Sequence, residues 1–163
     1  MVLRLTVALA GLLVGGSTAL ADTLQTHRIP AVLAVEAATE TVAACAKQGY
    51  NETAVLVDAD GVRQAVLRGD RAGSHTLDSA YDKAYTAASF KTDTGALFER
   101  SKTVPGFANL FTQLPHLMLF GGGIVIKVGD EVVGAIGAAG APGANLDDGC
   151  ARAGLDKIRD QLK

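Results

Sequence analysis

The sequence predicts an α+β domain in which helices pack against one mostly antiparallel sheet. Three observations carry this. Asp60-Gly61 and Gly129-Asp130 are each flanked by short β-branched runs, the mark of a tight hairpin. Helical apolar spacing precedes the first hairpin and comes again after the second. Hairpins outnumber the possible parallel crossovers, which disfavours a doubly wound sheet.

Residues 1–21 are read as a signal peptide. Arg4 gives a positive start, Leu5 to Val14 an apolar run, and Ala19-Leu20-Ala21 an A-x-A cleavage site. The run is short and glycine-punctuated for a membrane span. Residues 22–163 are then one domain, exported to the periplasm or secreted, with no membrane contact after cleavage. Losing Arg4 and no acid takes the net charge from −2 to −3, which argues against nucleic acid as a partner. The chain is 48% apolar and 20% charged, too apolar for disorder.

Pro30 fits a first helical turn and Gly49 the position past a helix end. Between them Val32, Val35, Thr39, Val42 and Ala46 form an apolar stripe, with Ala37, Ala38 and Cys45 alongside. Thr53–Asp58 and Val62–Leu67 form the first hairpin. A charged loop, Arg68 to Ser74, leads into a second helix over about Thr76–Phe90, capped by Ser74 or Thr76. A short third helix starts at Asp93 or Thr94 and reaches about Lys102. The stretch from Thr103 to Gln113 is less regular, broken at Pro105-Gly106. Leu117–Phe120 is a candidate strand, interrupted by Gly121-Gly122-Gly123. Ile124–Val128 and Glu131–Ile136 form the second hairpin, making five strands. Asn145 with Asp148 resembles a start signal for the last helix, which runs to about Leu162.

Cys45 and Cys150 belong to no C-x-x-C or C-x-x-C-H motif, which excludes a thioredoxin-type site and covalent c-type haem. In an oxidising compartment they can bridge; the alternative is two buried free thiols. Both sit on helices that cover the same sheet, so they are expected to approach each other.

Lys83-Ala84-Tyr85-Thr86-Ala87, Gly121-Gly122-Gly123-Ile124 and Gly134-Ala135-Ile136-Gly137-Ala138-Ala139-Gly140 occur in this order, with Asp147 and Cys150-Ala151 after them. Together they resemble the GlcG/HbpS family of small haem-binding proteins, whose domain is also fused to some corrinoid adenosyltransferases. The resemblance runs from about Val32 to the C-terminus. Arg71 to Thr76 looks like an exported branch, with Ser74 where a proline is expected. The resemblance implies an α/β sandwich on a five-stranded antiparallel sheet, a homo-oligomer, and haem binding by at least some members.

Non-covalent haem needs an axial ligand, and three histidines are available. His75 stands at a helix start, where the helix dipole disfavours imidazolium and leaves the ring free for iron. His116, with Met118, is the runner-up ligand. Arg68, Arg71 and the amides of the helix start could receive haem propionates. Tyr81, Tyr85 or Met118 to Phe120 could wall a flat ligand. Lys83 is either a propionate contact or an exposed, snorkelling lysine.

Enzyme motifs are poor. There is no G-x-S-x-G or H-E-x-x-H, and Gly134, Gly137 and Gly140 miss the dinucleotide pattern. The sequence therefore reads as an exported haem binder for haem handling or redox sensing. The alternative is an enzyme, or enzyme accessory, acting on a small organic acid or other metabolite.

Overall fold

The computed structural model describes residues 25–163, so the signal-peptide reading lies outside the described residues. The elements are α1 (Ala31–Ala46), β1 (Thr53–Asp58), β2 (Arg63–Arg68), α2 (Thr76–Phe90), α3 (Thr94–Ser101), α4 (Leu110–Gln113), β3 (Gly123–Val128), β4 (Glu131–Ala139) and α5 (Ala144–Ile158). Among the described residues, no helix is long and apolar enough to cross a membrane.

Both predicted hairpins form, and they join through antiparallel pairing of β1 with β4. The strand order is β2-β1-β4-β3. The sheet therefore has four strands rather than the expected five. Leu117–Phe120 stays out of it and lies against α2 instead. The Met118 amide donates to Thr86 Oγ1 at 2.8 Å, which holds this segment against α2. Gly122 then turns the chain with φ +111 before β3 begins.

Strand alternation divides the core into two layers. Ala54, Leu56, Ile124, Ile126 and Ile136 face α1 and α5. Val55, Val57, Ala135 and Ala139 face the alanines of α2. On that side α2 lies against the backbone of β4, since a Cβ on Gly137 would stand 1.9 Å from the Ala80 carbonyl oxygen.

The expected apolar stripe on α1 is rotated. Val32 and Val35 are 72% and 56% exposed, while Leu33, Ala34, Ala37, Ala38, Thr41 and Cys45 are buried. Close packing selects the small residues. A Cβ on Gly154 of α5 would meet Thr41 Oγ1 at 2.0 Å and the Ala37 carbonyl at 2.6 Å. Thr41 and Ala37 fill the seam at this point, which leaves no room for added volume on either helix. Cys45 and Cys150 lie in it as a disulfide with a Cα separation of 5.5 Å, so the expected approach occurs.

Candidate functional site

The first turn of α2 is fixed from below. Thr76 Oγ1 donates to the Gly73 carbonyl at 2.5 Å. Its single proton is thus committed, so the 2.6 Å contact with Thr53 Oγ1 has Thr53 as donor. This buried pair ties the helix start to β1. The N-cap is His75 itself, rather than Ser74 or Thr76. From there His75, Ser79 and Lys83 recur every four residues and share one helix face.

That face borders a cleft of about 360 Å³. Met118 and Phe120 form its apolar side. The loop from Gly140 to Gly143, the start of α5 and Asp147 complete it. His75 is exposed, whereas Lys83 lies in the floor, 5% exposed.

Lys83 therefore does not snorkel. Its ammonium donates to Asp147 Oδ2 at 2.6 Å and to the Ala138 carbonyl at 2.9 Å. Both side chains of the ion pair are 6% exposed. Two of the three ammonium protons are thereby used. Asp147 Oδ1 also accepts the Ala141 amide at 3.0 Å, which fixes the loop over the cleft. The glycine run lies against this pair: a Cβ on Gly122 would sit 2.9 Å from Lys83 Nζ and 2.6 Å from the Ala138 oxygen. The neighbouring Asp148 accepts the Gly122 amide. Burial raises the Asp148 carboxyl above its ordinary value, and that amide and Arg152 oppose the shift.

Sequence reasoning missed Glu52. It is 1% exposed, and its Oε1 has no hydrogen-bond partner. Its Oε2 lies 3.2 Å from Cys45 Sγ, a disulfide sulfur with no hydrogen to donate. Burial pushes the carboxyl up to about 8, and the adjacent Asp147 carboxylate adds to the shift. Lys83 and the Ala141 amide pull more weakly the other way. The only signal in the sequence was an acid placed directly before a strand that turns out to be wholly buried at Thr53–Val57. A polar residue at a strand start ordinarily reads as loop.

The remaining candidates lie elsewhere. Arg68 donates to the Ala72 carbonyl, and exposed Arg71 takes φ +65; neither lines the cleft. Tyr81, Tyr85 and His116 form a separate aromatic cluster. The His116 ring lies 5.2 Å and 6.0 Å from the two tyrosines, and its Nδ1 contacts Asp82 Oδ1 at 3.1 Å. Arg63 stacks over Tyr81 at 3.4 Å. His75 and Lys83 thus share a cleft with Met118 and Phe120, while Tyr85 and His116 do not border it. Among the described residues, no three His, Cys, Asp or Glu converge to hold a metal ion.

The chain is similar in structure to a double mutant of HbpS from Streptomyces reticuli. Identity is 34% and the TM-score 0.75, over 82% of this chain and 89% of the other. A PduOC–haem complex shares the fold at 24% identity and TM-score 0.69, over 76% and 89% of the two chains. The Klebsiella pneumoniae protein ORFY does so at 24% identity and TM-score 0.69, over 86% and 97%. Among curated proteins the sequence has no significant match. Residues 29–156 match the family described as haem-degrading, HbpS-like proteins, and to that family the chain belongs.

Proposed function

We propose that this is an exported haem-binding protein whose cleft seats non-covalent haem, with His75 as the iron ligand. The observation that carries the reading is the shared helix face. A donor nitrogen at His75 and a cation at Lys83 border one cleft, with apolar Met118 and Phe120 as its wall. Eight residues of helix place the backbone positions of His75 and Lys83 about 12 Å apart along the axis. The cleft volume falls in the range of small-molecule sites, roughly 300–1,000 Å³. Bound haem would supply a redox-active iron, tuned by its axial ligand and the polarity around it. This chain supplies the imidazole, the apolar wall and Lys83 toward a propionate. Arg68 and Arg71, expected from the sequence to receive propionates, do not line the cleft, so Lys83 is the propionate partner on which this reading rests.

Membership of an HbpS-like family and a fold shared with a haem complex support the reading. The Cys45–Cys150 disulfide supports export, since oxidising compartments preserve such bridges. Haem handling or redox sensing would be the role, in a homo-oligomer. A second reading, action on a small organic acid, draws on the same buried cation, because Lys83 would serve any carboxylate.

Hemin titration tests the proposal. The expected result is a saturable Soret band that His75→Ala abolishes or shifts and His116→Ala leaves in place. A spectrum unchanged by His75→Ala and lost in His116→Ala would move the site to the tyrosine cluster.

A further inference from the structure

We propose that Glu52 is a buried proton holder for the cleft. Its protonated form lets the Lys83 end accept a carboxylate, so that binding of an anionic ligand is linked to a proton on Glu52. This rests on reading the cleft as a ligand site. It adds a residue that does not border the cleft, and a regulation of it.

Glu52, Lys83 and Asp147 are 1%, 5% and 4% exposed, so two acids and one base share a water-poor interior. With both acids ionised the cluster carries a net −1, and a carboxylate approaching Lys83 meets that excess at low effective dielectric. With Glu52 protonated the cluster is neutral. Lys83 then keeps Asp147 and Ala138 as partners and has one N–H left for a ligand.

The surroundings of Glu52 favour the proton. Its Oε1 has no partner, and Oε2 faces a disulfide sulfur that can only accept. The groups acting on it are Asp147 from α5, Lys83 from α2 and the amide of Ala141 after β4. The sulfur from α1 is locked in the disulfide and does not titrate. Burial is the largest influence, and the carboxyl exchanges its proton at about 8, within reach of ordinary buffers. A second negative charge delivered beside Lys83 raises that value further. Ligand binding therefore draws in a proton at mildly alkaline pH.

The carboxylate can belong to a haem propionate or to a small organic acid, and the experiment separates them. Binding of hemin, hemin dimethyl ester and succinate is measured between pH 6.5 and 9.5, in two buffers of different ionisation enthalpy. For the wild type, hemin affinity is expected to fall by up to about tenfold per pH unit above pH 8, with proton uptake on binding. The ester, which has iron but no free carboxylate, should show only the uptake due to iron-bound hydroxide, and hemin should exceed it. Glu52→Gln should bind hemin more tightly than the wild type at pH 9, with a slope reduced to that of the ester. If neither porphyrin binds at any pH, the haem reading fails. The linkage then stands on succinate, provided it shows the same slope and the same flattening. An ester slope equal to that of hemin, or a Glu52→Gln slope equal to the wild type, overturns the proposal. So does binding of no carboxylate at all. If Glu52→Gln fails to fold, buffer-dependent proton uptake by the wild type still decides.

Discussion

Replacing Gly137 by alanine tests how closely α2 lies on the sheet, and with it the placement of Lys83. A Cβ at this position would stand 1.9 Å from the Ala80 carbonyl oxygen and 2.8 Å from the Ala84 nitrogen. Both are backbone atoms of α2, so no rotamer change relieves the clash. The helix must retreat by more than about 1 Å to restore van der Waals separation. That retreat opens the layer formed by Val55, Val57, Ala80, Ala84, Ala87 and Ala135. Overpacking of this kind costs about 1–3 kcal/mol, and a backbone clash belongs at the upper end. About 3 kcal/mol lowers Tm by roughly 10 °C for a domain of this size. The same motion carries Lys83 away from Asp147 and the Ala138 carbonyl. Gly149→Ala is the reference. It lies inside α5 with nothing within 4 Å of an added Cβ. There alanine should stabilise by about 0.5–1 kcal/mol through helix propensity alone. Urea and thermal unfolding monitored by circular dichroism measure both. A Gly137→Ala protein within 1 kcal/mol of wild type would refute the direct seating of α2 on β4.

Two further outcomes concern the buried groups. Removing the bridge with Cys45→Ala and Cys150→Ala frees a loop whose ends are 105 residues apart. A loss of about 3–5 kcal/mol in urea unfolding is expected, matched by reducing the wild type, and a loss below 1 kcal/mol would contradict it. Glu52 should also mark the pH profile of stability. Its folded value of about 8 exceeds the unfolded 4.5, so its contribution is fully present below the unfolded value and is lost as pH rises through 8. Glu52→Gln should therefore gain on the wild type between pH 6 and 9. Parallel profiles for the two proteins would disprove a raised carboxyl. The window avoids the acid side, where Glu131, lowered by its hydrogen bonds to His27, acts with the opposite sign.

Local chemistry made part of this protein legible from residues alone. Asp60-Gly61 and Gly129-Asp130 announce their turns because few dipeptides tolerate that backbone. The Asp58 carboxylate then secures the first turn by accepting the amides of Asp60 and Val62. The span of α2 and the convergence of the two cysteines came from periodicity and from helices sharing a sheet. The face of α1 did not, because valines and alanines are both apolar. Only the packing against α5 and the sheet decides which of them are buried. Leu117–Phe120 has strand composition, but its Met118 amide bonds to Thr86 of α2 rather than to a neighbouring strand, a choice between distant partners that composition does not encode.

The candidate site divides along the same line. His75 at a helix start and the haem-family resemblance came from the sequence, since a helix start is a local property and motif order is linear. That Lys83 lies buried against Asp147, 64 residues later, and that Glu52 lies behind both, came only from the tertiary structure. Hairpins, caps and periodicity are set by neighbours along the chain. Burial and charge pairing are set by which distant segments exclude water together. The fate of a lysine or a glutamate, solvated or locked in the interior, is settled there.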